Sequence, residues 1–155
     1  MKNKTELQVT AIENGTVIDH IPSDKVFQVM RILHLDKSED QTLFGFNLES
    51  KKYGRKGIIK ISNTIFKGEH IDKIALVAPN ATLITIKNYE VVEKRNIEMP
   101  NEIGAYVKCI NPKCITNNQN ISSKFKVVRE EGEGIRLKCH YCEKTTKQHE
   151  IEFIG

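Results

Sequence analysis

The sequence predicts an α+β chain: a ferredoxin-like N-terminal domain followed by a small β-rich zinc-ribbon/rubredoxin-like domain. Three observations carry this. Over the first hundred residues, strand-like and helix-like periodicities follow one another as strand, helix, two strands, helix, strand, the order of a sandwich with both helices on one face of an antiparallel sheet. Near "NIEMPNEIGAY", Pro100, Asn101 and Gly104 interrupt both periodicities, placing a boundary between domains at 1–100 and 101–155. Beyond it lie all four cysteines, as a C-x4-C pair and a C-x2-C pair separated by 24 residues.

The N-terminal elements follow from local pattern. In "LQVTAI" Leu7, Val9 and Ala11 alternate with Gln8 and Thr10, and after the turn "ENG" comes the extended "TVIDHI", so strand, turn and strand are expected. Pro22 and Ser23 in "PSDKVFQVMRILHL" suit a helix start, with Val26, Phe27, Met30 and Leu33 at helical spacing, predicting a helix of about three turns. "QTLFGFNLES" and "KGIIKIS" read as a β-hairpin with "KKYGRK" at its tip, and "HIDKIALVAP" as a short helix stopped by Pro79. "ATLITIK" and "YEVVEK" close the domain as strands around a turn at Asn88. The sheet face opposite the helices is left uncovered, which makes a homodimer through this domain an expectation.

The last fifty residues hold too few large apolar side chains for a self-supporting core; Tyr106, Val107, Phe125, Val127, Val128, Ile135, Leu137 and Phe153 are most of it. A metal staple is the usual remedy at this size. Cys109, Cys114, Cys139 and Cys142, two short-spaced pairs on tight turns, suit one tetrahedral zinc ion. Four protein thiolates leave zinc no position for a water, so the expected ion is structural and not catalytic. His140 and His149 lack ligand spacing and are expected at the surface.

Composition narrows the function. With 39% hydrophobic and 28% charged residues the chain is globular, and its longest apolar clusters are interrupted well short of the ~20 residues of a membrane span. The expected location is the cytoplasm, where thiols stay reduced and favour metal over disulfides. Net charge is +4, with nine Lys+Arg against six Asp+Glu from Ile103 onward and fifteen against fourteen before it. Neither part carries the concentrated basic face of a phosphate-backbone binder, and Trp is absent. A zinc-ribbon nucleic-acid-binding protein is therefore the alternative and not the first reading. The first hundred residues also lack a Gly-rich phosphate loop, a G-x-S-x-G elbow, an H-E-x-x-H pair and any cysteine nucleophile. Asp19, His20, Lys60 and Lys94 are open to three readings: an acid/base set, a ligand-binding set, or unrelated surface charges. Together their chemistry suits a nucleotide, with a carboxylate for ribose hydroxyls and cations for phosphates.

"LQVTAIENGTVIDHIP", "GRKGIIKISNT", "IALVAPNAT", "NYEVVEK" and the cysteine spacing, in this order over nearly the whole chain, resemble the regulatory chain of aspartate carbamoyltransferase. The resemblance implies a non-catalytic subunit with a nucleotide-effector domain and a zinc domain that docks on the catalytic chain. It implies allosteric control of pyrimidine biosynthesis by CTP and ATP, with UTP as a further candidate. Carried over residue by residue, it implies that the backbones of Ile12 and Tyr89 read the base, with Ala11 and Ile86 lining its pocket. Asp19 and Lys60 would hold the ribose, and His20, Val91 and Lys94 the triphosphate. Lys56 matches a position linked to a second, metal-bridged nucleotide, and Asn111, Tyr141, Glu143 and Lys144 match positions facing the catalytic chain. Thr10 and Ile84 depart from a glutamate and an asparagine of the family pattern, both at the base pocket.

Overall fold

A computed structural model describes residues 11–51, 54–132 and 134–154. The chain divides into two compact units, between Met99 and Pro100. Among the described residues no helix is long and apolar enough to cross a membrane.

The first unit contains β1 (Gly15–Ile21), α1 (Val26–Ile32), β2 (Thr42–Ser50), β3 (Gly54–Ser62), α2 (Glu69–Val77), β4 (Thr82–Lys87) and β5 (Glu90–Asn96). The sheet order is β2-β3-β1-β4-β5, with every neighbour antiparallel. The first four of these strands interleave as the ferredoxin-like order requires, and β5 extends the sheet beyond β4. The expected strand "LQVTAI" lies outside the described residues from Leu7 to Thr10, and its last two residues, Ala11 and Ile12, are not in a strand.

One sheet face meets the helices. Ile18, Ile59 and Ile61 are fully buried on it, opposite Val26 and Val29 of α1 and Ile74 of α2. Gly57 lets α1 approach, because a Cβ there would overlap Val26 Cγ2. The opposite face carries its own small cluster, Ile12, Val17, Ile58 and Ile86, with Leu48 and Ile84 packed against it.

Two local expectations are corrected. The helical stripe runs through Val26, Val29 and Ile32, whereas Phe27 is 53% exposed. Phe27 instead packs against Phe44 and Phe46, with ring centroids 5.7 Å and 5.5 Å away; a three-residue 3-10 turn, Ser23–Lys25, precedes α1 and shortens it. The hairpin loop is shorter than "KKYGRK", since Gly54, Arg55 and Lys56 pair with Ser50, Glu49 and Leu48.

The second unit has a four-stranded sheet of order β10-β9-β8-β6, formed by β6 (Glu102–Ile103), β8 (Phe125–Glu130), β9 (Gly134–Cys139) and β10 (Thr145–Lys147). A two-stranded ribbon joins β7 (Val107–Lys108) to β11 (Glu152–Phe153), and a single turn of helix, α3 (Ile115–Asn118), follows Cys114. Its core is Ile103, Tyr106, Val107, Phe125, Val127, Ile135 and Leu137. Seven side chains make a thin core, and the cysteines complete it.

Candidate effector face and metal centre

The metal centre is assembled by three elements. The ribbon strand β7 ends next to Cys109, Cys114 caps α3, and β9 delivers Cys139 opposite Phe125. Their sulfurs and that of Cys142 lie within 4.8 Å of one another. Cys109–Cys142 and Cys114–Cys139 are each 3.7 Å apart. A tetrahedron with Zn–S bonds of about 2.3 Å has edges of about 3.8 Å, so the four sulfurs already stand at the corners a zinc ion needs.

Backbone N–H groups converge on those corners: Asn111 donates to Cys109, Thr116 to Cys114, Tyr141 and Cys142 to Cys139, and Lys144 to Cys142. Without a metal, burial pushes the Cys109 thiol up to about 12 and raises that of Cys139. Burial acts the same way on Cys114, but the Thr116 hydroxyl and N–H outweigh it and bring that thiol down to about 7. At Cys142 burial is likewise outweighed, chiefly by the Lys144 N–H. A bound dication removes all four protons and is in turn held by donors aimed at thiolate.

Thr116 and Asn117 were not expected from the cysteine spacing. Thr116 Oγ1 donates to Cys114 Sγ at 3.2 Å, and Asn117 Nδ2 donates to the carbonyls of Cys109 and Asn111 at 2.9 and 2.7 Å, bracing the C-x4-C loop from α3. His140 and His149 are exposed, as their spacing implied.

In the first unit, irregular strand pairing decides where the polar residues point. Between Ile18↔Ile59 and Ile21↔Gly57, β1 has one residue more than β3. This bulge turns both Asp19 and His20 away from the helices, with His20 at φ 58. Asp19 Oδ1 accepts from Lys56 Nζ at 2.8 Å, and the His20 ring Nδ1 lies 3.2 Å from the hydroxyl of buried Thr82. Thr82 is a partner that no sequence pattern announced. A second irregularity sits between Thr85↔Glu93 and Ile86↔Val91, where the extra residue, Val92, lets Val91 and Lys94 face the same side.

The registers then define one row across four strands on the face away from the helices: Lys60, Val17, Ile84, Lys94. At strand spacings of about 4.8 Å, its two lysines are anchored about 14 Å apart. Partial burial lowers the Lys60 pKa, a shift that Asp19 opposes.

The remaining expected site residues flank this row. Ile12 and Ile86 are buried in the aliphatic cluster, Val91 is exposed, and Ala11 is exposed beside Ile12. Asn88 and Tyr89 form the β4–β5 turn with φ 51 and 67. The Tyr89 N–H is committed to the Glu13 carbonyl at 2.9 Å.

Two family models match the chain. "Aspartate carbamoyltransferase regulatory chain, allosteric domain" covers residues 7–98, and "Aspartate carbamoyltransferase regulatory chain, metal binding domain" covers 101–152. This chain belongs to the aspartate carbamoyltransferase regulatory-chain family. Regulatory chains of that name from Bacteroides fragilis and Phocaeicola vulgatus are 50% identical over 153 residues and 51% over 152. The alignments cover 99% of both chains in the first case, and 98% of this chain and 97% of the relative in the second. The regulatory chain of Thermococcus sibiricus is 50% identical over 147 residues, covering 94% of this chain and 95% of its own. As a regulatory chain the protein is a non-catalytic subunit, and its metal-binding domain carries one structural zinc ion, for which Cys109, Cys114, Cys139 and Cys142 bring four sulfurs within ligating distance.

Proposed function

We propose that this regulatory chain binds nucleoside triphosphates on the sheet face away from the helices in residues 1–100 and docks on the catalytic chain of aspartate carbamoyltransferase through residues 101–155. CTP and ATP are the effectors in this reading, with UTP competing for the same place, in the cytoplasm and with neither nucleic acid nor membrane as partner. The observation that carries it is the row Lys60–Val17–Ile84–Lys94, with Asp19, His20 and Lys56 gathered beside it at the bulge of β1. Cations stand at both ends of an apolar floor, a span that an extended nucleoside triphosphate covers. Asp19 accepts from ribose hydroxyls alongside Lys60, while His20 and Lys94, beside Val91, meet the phosphates. The base lies toward Ala11, Ile12, Ile86 and Tyr89; since the Tyr89 N–H is engaged, its carbonyl is the group left for a base amino group.

Docking is supported by apolar side chains on the metal loops. Ile110, Ile115 and Tyr141 are each 40% exposed or more, next to the ligands, and zinc fixes the loops that display them, together with Asn111, Glu143 and Lys144. Pairing of two regulatory chains is supported at β2: this edge strand carries exposed Phe44 and Phe46 beside Phe27, while the other edge, β5, is laced with Glu90, Glu93, Lys94 and Arg95. Control of the catalytic chain then requires the effector to bind two assembly states unequally, by about 1–3 kcal/mol.

Calorimetric titration with CTP and ATP, before and after Lys94→Ala, tests the effector half; about tenfold weaker binding is expected, and unchanged affinity refutes the site. Chelation of zinc should abolish assembly with the catalytic chain while leaving CTP binding in place. Normal assembly of the zinc-free chain refutes the docking half.

A further inference from the structure

Strand alternation sorts the charges of the second unit. Phe125, Val127, Ile135, Leu137 and Thr146 are buried on one side of its four-stranded sheet, and the alternate residues Lys126, Arg136, Lys138 and Lys147 point to the other. Lys124 joins them just before β8, its carbonyl accepting from the His140 N–H at 2.8 Å. The registers draw two rows across this outer face: Glu102, Lys126, Lys138, Thr145 and, beside it, Val128, Arg136, Lys147. Glu130 holds Arg136 at 2.9 Å, and Glu102 lies 3.9 Å from Lys124. Among the described residues no carboxylate comes within ion-pair distance of Lys126, Lys138 or Lys147. Lys126 and Lys138 stand directly opposite each other, with Cβ atoms about 5 Å apart, an arrangement of like charges that weakens a sheet. A face needed only for solubility is better served by one charge of each sign there.

We propose that this basic sheet face is an interaction surface in its own right, and that it receives an acidic strip of the catalytic chain beyond the contact made by the metal loops. The proposal rests on the docking reading above. Continuity supports it: a concavity of about 300 Å³ is lined by Lys124, Lys126, Lys138 and His140 on the face and by Glu143 of the C-x2-C loop. A partner seated on the metal loops therefore reaches the lysines over unbroken surface. Charge supports it as well, because an acidic partner relieves the repulsion between Lys126 and Lys138 that the free chain carries, and oppositely charged faces speed encounter. The two rows hold no aromatic side chain, so the face lacks the stacking platforms of a single-strand binder. Proximity to the negatively charged zinc–thiolate centre would account for Lys138, next to Cys139, but Lys147 pairs with Arg136 in the row beyond.

The test is the rate of association of the full zinc-loaded chain with the catalytic chain, at low and at high salt, for the wild type, Lys126→Glu and Lys147→Glu. Lys126→Glu sets a carboxylate opposite Lys138 and should raise the melting temperature, so its two effects have opposite signs. Each variant should slow association at low salt about tenfold, a difference that shrinks as salt rises. Unchanged association in both variants overturns the proposal and leaves docking on the metal loops standing. Loss of zinc from Lys126→Glu also overturns it, since the lysines would then serve the metal centre. So does wild-type binding to a random-sequence DNA duplex that both variants lose while assembly is unchanged, which would make the face a phosphate reader. If the zinc-loaded wild type does not assemble with the catalytic chain at any salt, the docking reading itself has failed and the proposal falls with it.

Discussion

Replacing Lys60 by methionine keeps a stem of similar length on β3 and removes its charge from a site that has already partly desolvated it. Lys60 stands opposite Val17, and burial lowers its pKa against the pull of Asp19. Two opposite consequences follow. In the free chain the charge is held at a disadvantage, so the substitution should not lower, and is expected slightly to raise, the melting temperature. In the complex, the ammonium bonds to a charged or polar ligand oxygen at a partly dry surface, where a hydrogen bond to a charged group contributes about 1.5–3 kcal/mol. At a factor of ten per 1.4 kcal/mol, Lys60→Met should weaken CTP about 10- to 150-fold.

The sign with pH is fixed by the same shift. A lysine whose folded pKa lies below 10.5 binds fewer protons folded than unfolded between the two values. The wild type therefore gains stability as pH rises through that window, and Lys60→Met lacks this gain. Triphosphate restores the proton, so CTP binding in this window should take up protons, read as a buffer-dependent enthalpy by calorimetry. A variant that binds CTP as tightly as the wild type, or a wild type whose binding enthalpy is the same in every buffer across that window, would refute the role given to Lys60.

Three further outcomes are expected. Gly57→Ala forces a Cβ onto Val26 Cγ2; displacing α1 from β3 should cost about 1–3 kcal/mol, read from denaturant midpoints at unchanged slope. Phe44→Glu places a charge in the Phe27–Phe44–Phe46 cluster of the edge strand and should convert the chain to a monomer in sedimentation equilibrium, with CTP binding per chain retained. Asn117→Ala frees the carbonyls of Cys109 and Asn111 and should lower zinc affinity about 10- to 100-fold in a chelator competition, since groups that brace metal ligands typically contribute that much.

The parts of the fold that were legible in the sequence are those set by short-range pattern. Thr82–Lys87 and Glu90–Asn96 are short runs containing β-branched residues on either side of a two-residue turn, where Asn88 tolerates a positive φ. The cysteines could be read as a metal set because zinc imposes its tetrahedron whatever the surrounding fold. What escaped depends on the partner strand. Phe27 and Val29 are equally apolar, and only the placement of Phe44 and Phe46 turns Phe27 outward. Thr82 resembles any strand threonine until β1 brings His20 to it.

The bulges explain why the site was less legible than the fold. In a regular strand Asp19 and His20 would point to opposite faces, as would Val91 and Lys94. One extra residue in β1 and one in β5 bring each pair onto the same face. Those extra residues can be counted only against β3 and β4, so no pattern within "VIDHI" or "EVVEKRN" reveals them. The proposed effector face is thus held by strand register, and the proposed docking loops of the second unit by coordination bonds to a metal. Shifting a strand register and removing zinc act through different physics, so each should disable one half of the subunit's task and spare the other.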